Sequence, residues 1–189
     1  DDPEVLAKKR FLDPACGTGI FGAVVFDYLF DGLEDYISDP DERARHIARE
    51  QIWMCDASLA QVESARELFP DFFEPKIIER NTLNYDWDME FDVVVGNPPY
   101  EAKKKEGMGT TGEKNLYRKF ILKDVDILSD GGYMSFVCPP AFLKTTVWGE
   151  ETEYFQPFKE YNFINYESDV SEFFDSKTPI CRFLLQKSE

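Results

Sequence analysis

A chain of 189 residues with 43% hydrophobic content and 17 phenylalanines can bury a core, which excludes a disordered protein. Its formal net charge of −16 argues against a broadly basic nucleic-acid binder, and no apolar run reaches the roughly 18 residues that a membrane span needs. One histidine, His46, and four scattered cysteines without a CxxC pair argue against a histidine-dependent hydrolase and against a zinc site.

The start, "DDPEVLAKKRFLD", carries no apolar signal-peptide core and reaches a strand almost at once. The expectation is one cytoplasmic domain over 1–189, cut from a longer protein, with reduced and buried thiols. "RFLDPACGTGIFG" predicts a short strand turning through Gly17 and Gly19 into a helix, "IFGAVVFDYLF". A charged helix starts near Pro40, and His46 is expected on its solvated face. "QIWMCD" reads as a strand, "ASLAQVESARELF" as an amphipathic helix, and "PKIIER" as a short strand. "EFDVVVGN" is apolar enough for a strand inside a parallel sheet covered on both faces. "NLYRKFILKDVDILSDGG" predicts a helix of about four turns stopped by Gly131 and Gly132. "GYMSFVCP" reads as a buried strand in which Cys138 packs. After an irregular stretch, "NFINYES" and "ICRFLLQ" form two β-rich segments joined by an acidic, aromatic loop. Strands alternating with helices predict a doubly wound, mostly parallel, seven-stranded Rossmann-like α/β sheet with an antiparallel last strand.

In such sheets ligands lie beyond the carboxyl ends of the strands, at the switch point. "DPACGTG" sits at the first of these ends. Its glycines permit close backbone approach, and the Asp13 carboxylate suits a cationic group, an ammonium or a sulfonium, better than a pyrophosphate. The pattern also lacks the third glycine of a dinucleotide fingerprint. Asp56 ends the second strand, where an acid either hydrogen-bonds ribose hydroxyls or caps the helix after it.

"DPACGTGIF" followed by "NPPY" resembles the S-adenosylmethionine-dependent amino methyltransferases, and most of all the DNA adenine methyltransferases of restriction-modification type. The resemblance runs from about Arg10 to Gln186 and includes "NLYRKFI" and "GGYMSFVCPPAFL". It implies a methyltransferase domain, S-adenosylmethionine as cofactor and a flipped adenine in DNA as substrate. Asp13, Ala15, Gly17 and Gly19 would line the methionine end of the cofactor, and Asp56 would hold its ribose. Leu83 would pack on its adenine. Asn81 stands where the family usually has an acid, so its amide oxygen would accept from the adenine amino group. The plainer reading of Asn81 and Leu83 is two ordinary loop residues.

Methylating an exocyclic amino group requires two acceptors aimed at its two hydrogens, in line with the methyl donor. The side-chain oxygen of Asn97 and the backbone carbonyl of Pro98 supply them. Pro98 and Pro99 keep the loop rigid, and Tyr100 offers a ring on which a flipped base stacks. From Glu101 to Lys123 there are seven basic residues against three acids. Lys103, Lys104 and Lys105, with Lys114 and Arg118, are therefore either phosphate contacts or a solvated charge run. Phe173 or Phe174 would face the base from the other side; spacing does not choose between them. No metal is expected. The alternatives are transfer to a protein glutamine amide or to an RNA guanine, and a cofactor-binding subunit without turnover. No target-recognition segment is legible before the chain ends, so a separate or missing recognition domain is expected.

Overall fold

The computed structural model describes residues 2–101, 115–143, 146–147, 150–151, 161–167 and 179–188. They fall into two compact units, Asp1–Gly96 and Asn97–Glu189.

The first unit opens with a helical turn that the sequence reading did not anticipate, α1 (Pro3–Leu6), capped by the Asp2 side chain, which accepts from the Glu4 amide. Strand β1 (Phe11–Asp13) follows. Helix α2 (Ile20–Gly32) comes next, then α3 (Pro40–His46), with Asp39 as N-cap and Pro40 at the first position. A π-helical turn, Ile47–Gln51, leads into β2 (Ile52–Asp56). Helix α4 (Leu59–Arg66), β3 (Lys76–Glu79) and β4 (Phe91–Gly96) complete the unit. Its strands pair in the order β3-β2-β1-β4, and every pair is parallel. The strand order reverses between β1 and β4, so the switch-point crevice lies past their carboxyl ends. Leu29, Leu33, Ile47, Met54, Val62, Ala65 and Phe69 fill the space between the helices and the sheet.

His46 departs from expectation. It is half-buried, and its Nε2 lies 2.9 Å from the Ala7 carbonyl. In the π-helical turn that follows, Gln51 Nε2 donates to the carbonyls of Leu6 and Lys9. A buried carbonyl end of α1 must find donors, and His46 and Gln51 meet that need.

In the second unit, α5 (Leu116–Asp126) precedes β5 (Leu128–Cys138). The hairpin strands β6 (Thr146–Val147) and β7 (Glu150–Glu151) follow, then β8 (Tyr161–Glu167) and β9 (Cys181–Lys187). Strand β9 lies between β5 and β8, antiparallel to both. The expected stop at Gly131-Gly132 is incorrect. Helix α5 ends at Asp126, and both glycines lie inside β5. From Gly132 to Phe136 the burial alternates, with Gly132, Met134 and Phe136 buried. The Gln186 side chain donates to the Gly131 carbonyl and Lys187 Nζ to that of Leu128. The strand, held here by side chains of β9, thus takes up the glycines that a local reading assigns to a helix cap. Seven sheet strands, with the final one antiparallel, agree with the predicted class.

Candidate functional site

Asp13 is the last residue of β1 and is only 3% exposed. Its Oδ1 accepts one long hydrogen bond, 3.2 Å from the Ala15 amide. Its Oδ2 is buried without a partner. Burial, with the Asp56 carboxylate adding repulsion, pushes the Asp13 carboxyl up to about 7. The chain then turns through Gly17 at φ 53° and Gly19 at φ 86°, both left-handed. A Cβ on Gly19 would stand 3.0 Å from Ala65 Cβ and 3.2 Å from its Cα, so only glycine lets the turn lie against α4. The Cys16 amide donates to the Cys55 carbonyl at 2.9 Å, which pins the turn to β2.

Asp56, the last residue of β2, serves both local roles at once. Its Oδ2 accepts from the Gly17 amide at 3.0 Å, and its Oδ1 accepts from the Ser58 amide at 2.8 Å at the start of α4. Each carboxylate oxygen has a second lone pair, so the residue retains acceptor capacity. Asn81 is exposed, and its Oδ1 accepts from the Leu83 amide at 3.1 Å, capping a 3-10 turn over Thr82–Asn84. Leu83 is half-buried. Thr82 was missed by sequence reasoning. It is buried, and its Oγ1 donates to the Pro14 carbonyl at 2.6 Å, which ties the turn after β3 to the turn after β1. Its only signal was its place between Asn81 and Leu83.

Asp13, Ala15, Gly17, Gly19, Asp56, Asn81 and Leu83 therefore all lie on the turns that leave β1, β2 and β3 at one edge of the first unit. Strand β4 runs parallel to β1, with Leu12 opposite Val94, so it ends at the same edge. Asn97 is the next residue in the chain.

In the second unit, Asn97 is half-buried, Pro98 buried, Pro99 exposed and Tyr100 half-buried. The Leu116 amide donates to the Tyr100 carbonyl at 2.9 Å. The Tyr100 ring meets Tyr117 edge-on, with centroids 6.2 Å apart. Burial pushes the Tyr100 phenol up to about 12, so it stays neutral. Tyr117 is fully buried and was not anticipated as the support behind Tyr100. Cys138 is buried, as expected, and all four cysteines are buried and outside any disulfide. Lys103, Lys104, Lys105, Lys114, Phe173 and Phe174 lie outside the described residues. A hollow of about 250 Å³ lined by Ser135, Asn165, Arg182, Phe183 and Leu184 contains none of the predicted site residues. Among the described residues, no group of three or more His, Cys, Asp or Glu side chains is placed to hold a metal ion, and no helix is long and apolar enough to cross a membrane.

Comparison with known proteins adds independent observations. The family described as Eco57I restriction-modification methylase matches residues 35–173. The type II methyltransferase M.AccI of Acinetobacter calcoaceticus is 25% identical over 150 residues, which is 72% of this chain and 24% of that protein. The methylase subunit of the type I restriction enzyme EcoEI of Escherichia coli is 28% identical over 149 residues, 71% of this chain and 29% of that protein. The chain thus spans about a quarter of the length of these relatives. Among solved structures, the M protein of the type I restriction enzyme EcoKI superposes with a TM-score of 0.65 at 16% identity, covering 99% of this chain and 43% of that one. A Listeria monocytogenes protein solved as a class I S-adenosylmethionine-dependent methyltransferase gives a TM-score of 0.60 at 16% identity, covering 99% and 59%. Both share the Rossmann-like α/β fold.

Proposed function

Because the chain belongs to the Eco57I restriction-modification methylase family, we propose that it transfers a methyl group from S-adenosylmethionine to the exocyclic amino group of adenine in DNA. S-adenosylmethionine is the cofactor of this fold and family, and the residues present fit it. The buried, unpartnered Asp13 Oδ2 is an acceptor awaiting a donor, and a cationic ammonium or sulfonium supplies both charge and proximity. Gly17 and Gly19 leave the backbone open beside it, and Asp56 retains lone pairs for ribose hydroxyls. The bound cofactor supplies an electrophilic methyl group on sulfur.

The observation that carries the reading is the Asn97-Pro98-Pro99-Tyr100 motif, which follows directly on β4 in the chain, with Tyr100 held edge-on against the buried Tyr117. In this proposal the Asn97 side-chain oxygen and the Pro98 carbonyl accept the two amino hydrogens of an extruded adenine. They hold its nitrogen oriented and withdraw it from ring delocalisation. Pro99 stiffens the loop. Tyr100 stacks on the base, with Tyr117 behind it limiting its rotation. No covalent enzyme intermediate is needed. Lys103, Lys104 and Lys105 contact phosphates, and Phe173 or Phe174 faces the base opposite Tyr100. Asn81 and Leu83 meet the cofactor adenine. We read residues 1–189 as one cytoplasmic methyltransferase domain.

The test offers labelled S-adenosylmethionine with double-stranded DNA, single-stranded DNA, RNA and protein extract, and identifies the modified unit by mass spectrometry. N6-methyladenine in DNA that disappears with Asn97→Ala is the expected result. Label confined to RNA guanine or protein glutamine would replace this substrate with another.

A further inference from the structure

Asp13 combines three features. It is 3% exposed. One of its oxygens has no hydrogen-bond partner, and the other has a single bond at 3.2 Å. A second carboxylate, Asp56, stands on the neighbouring strand. An ionised carboxylate with one weak donor and a like charge nearby is costly to bury. The groups around it offer no relief. On its own turn the Cys16 thiol is held neutral, well above the usual thiol range. From β2 come the Cys55 thiol, also buried, and Asp56. The Thr82 hydroxyl of the turn after β3 is already given to Pro14. Strand β4 brings only Val94, Val95 and Gly96 to this end. Among the described residues no cation sits against Asp13: burial and Asp56 raise its proton affinity, and the Ala15 amide alone lowers it.

We propose that Asp13 carries a proton in the cofactor-free chain and releases it when the cationic methionine end of S-adenosylmethionine binds, so that cofactor binding and deprotonation of this one carboxyl are a single event. The step balances simply. A neutral carboxyl and a cationic ligand become a carboxylate–cation pair and one proton delivered to water. The inference rests on the cofactor site assigned above and deepens it. Burial that holds the carboxyl near 7 in the empty site places the exchange at physiological pH. The linkage sign follows: above that value the carboxylate is preformed and affinity is level; below it, each unit of pH costs close to tenfold in affinity. A proton-filled Asp13 also lowers the cost of the empty site, since no naked charge is buried while it waits.

The experiment is titration calorimetry of the whole chain with S-adenosylmethionine at pH 6 in two buffers of different protonation enthalpy. At that pH the cofactor's own α-amino group stays protonated. The expected result is release of close to one proton, with affinity rising nearly tenfold between pH 5.5 and 6.5. Binding with no proton release and flat affinity overturns the proposal and leaves the cofactor site standing. Absence of binding at every pH overturns the cofactor site and the proposal together. A second readout needs no cofactor. The Asp13 side-chain carboxyl, followed by carbon-13 NMR and assigned by its loss in Asp13→Asn, titrates near 7 in the free chain, and lower in Asp56→Asn, where the neighbouring charge is gone. A midpoint near 4, the ordinary carboxylate value, overturns it.

Discussion

Replacing Asn97 by alanine removes one acceptor from the proposed base pocket and leaves the glycine turn untouched. Turnover is expected to fall by about 10²–10³, with S-adenosylmethionine affinity unchanged, measured as single-turnover rate against a calorimetric binding constant. Loss of both together would place Asn97 in the cofactor site instead. At the same scale, Asp56 shows that two readings of a residue need not compete. The carboxylate steadies Gly17 and the start of α4 through separate oxygens, and lone pairs remain. Asn81 is the reverse case. Its oxygen is already drawn into the cap on Leu83, so a contact to the cofactor adenine has to share that oxygen.

Helix α2 packs on β2 through Gly22, and the fit is tight. A Cβ there would meet Met54 Sδ at 2.2 Å, and Met54 is itself buried. Gly22→Ala should cost about 1–3 kcal/mol from overpacking, a fall in melting temperature of about 2–4 °C per kcal/mol, read by calorimetric or circular-dichroism melting. An unchanged melt would mean that Met54 moves aside freely. The turns after β1 and β3 are joined through Thr82. Thr82→Val keeps the shape but leaves the Pro14 carbonyl buried and unpaired, at a cost of about 1–3 kcal/mol. Because Pro14 directly follows Asp13, S-adenosylmethionine affinity should weaken several-fold as well. Loss of stability with full affinity would make Thr82 purely structural.

For the whole molecule, the raised proton affinity of Asp13 has a consequence for stability. The unfolded chain titrates this carboxyl in the ordinary range near 4, the folded chain at about 7. Between those values the folded state binds more protons, so this group's contribution to stability is full at low pH, drains away as pH rises through that window, and is level above it. Asp13→Asn should therefore unfold at higher denaturant than the parent at pH 8, with the difference closing toward pH 4. Denaturant melts at both pH values check this, and an equal difference at each would remove the titration. Charge is a second property at this scale. With a net −16, long-range attraction to DNA falls to the basic strip after the motif, and the acidic remainder opposes non-specific binding.

The sequence by itself determined the family and the fold class. "DPACGTG" and "NPPY" are local strings readable residue by residue, and apolar runs and helical patterns placed β1 to β4 and α2 to α4 because those patterns depend on near neighbours alone. Tertiary structure decided what distant residues impose. Gly131 and Gly132 read as a helix stop, yet both lie inside β5, where the Gln186 side chain of β9 donates to the Gly131 carbonyl. His46 reads as solvated until α1 sets the Ala7 carbonyl beside it. Tyr117 reads as one more apolar helix position until Tyr100 lies against it. The proton affinity of Asp13 belongs wholly to this second class: the residue is legible as an acid from its letter, but its burial and the neighbouring carboxylate exist only once β1 and β2 lie side by side.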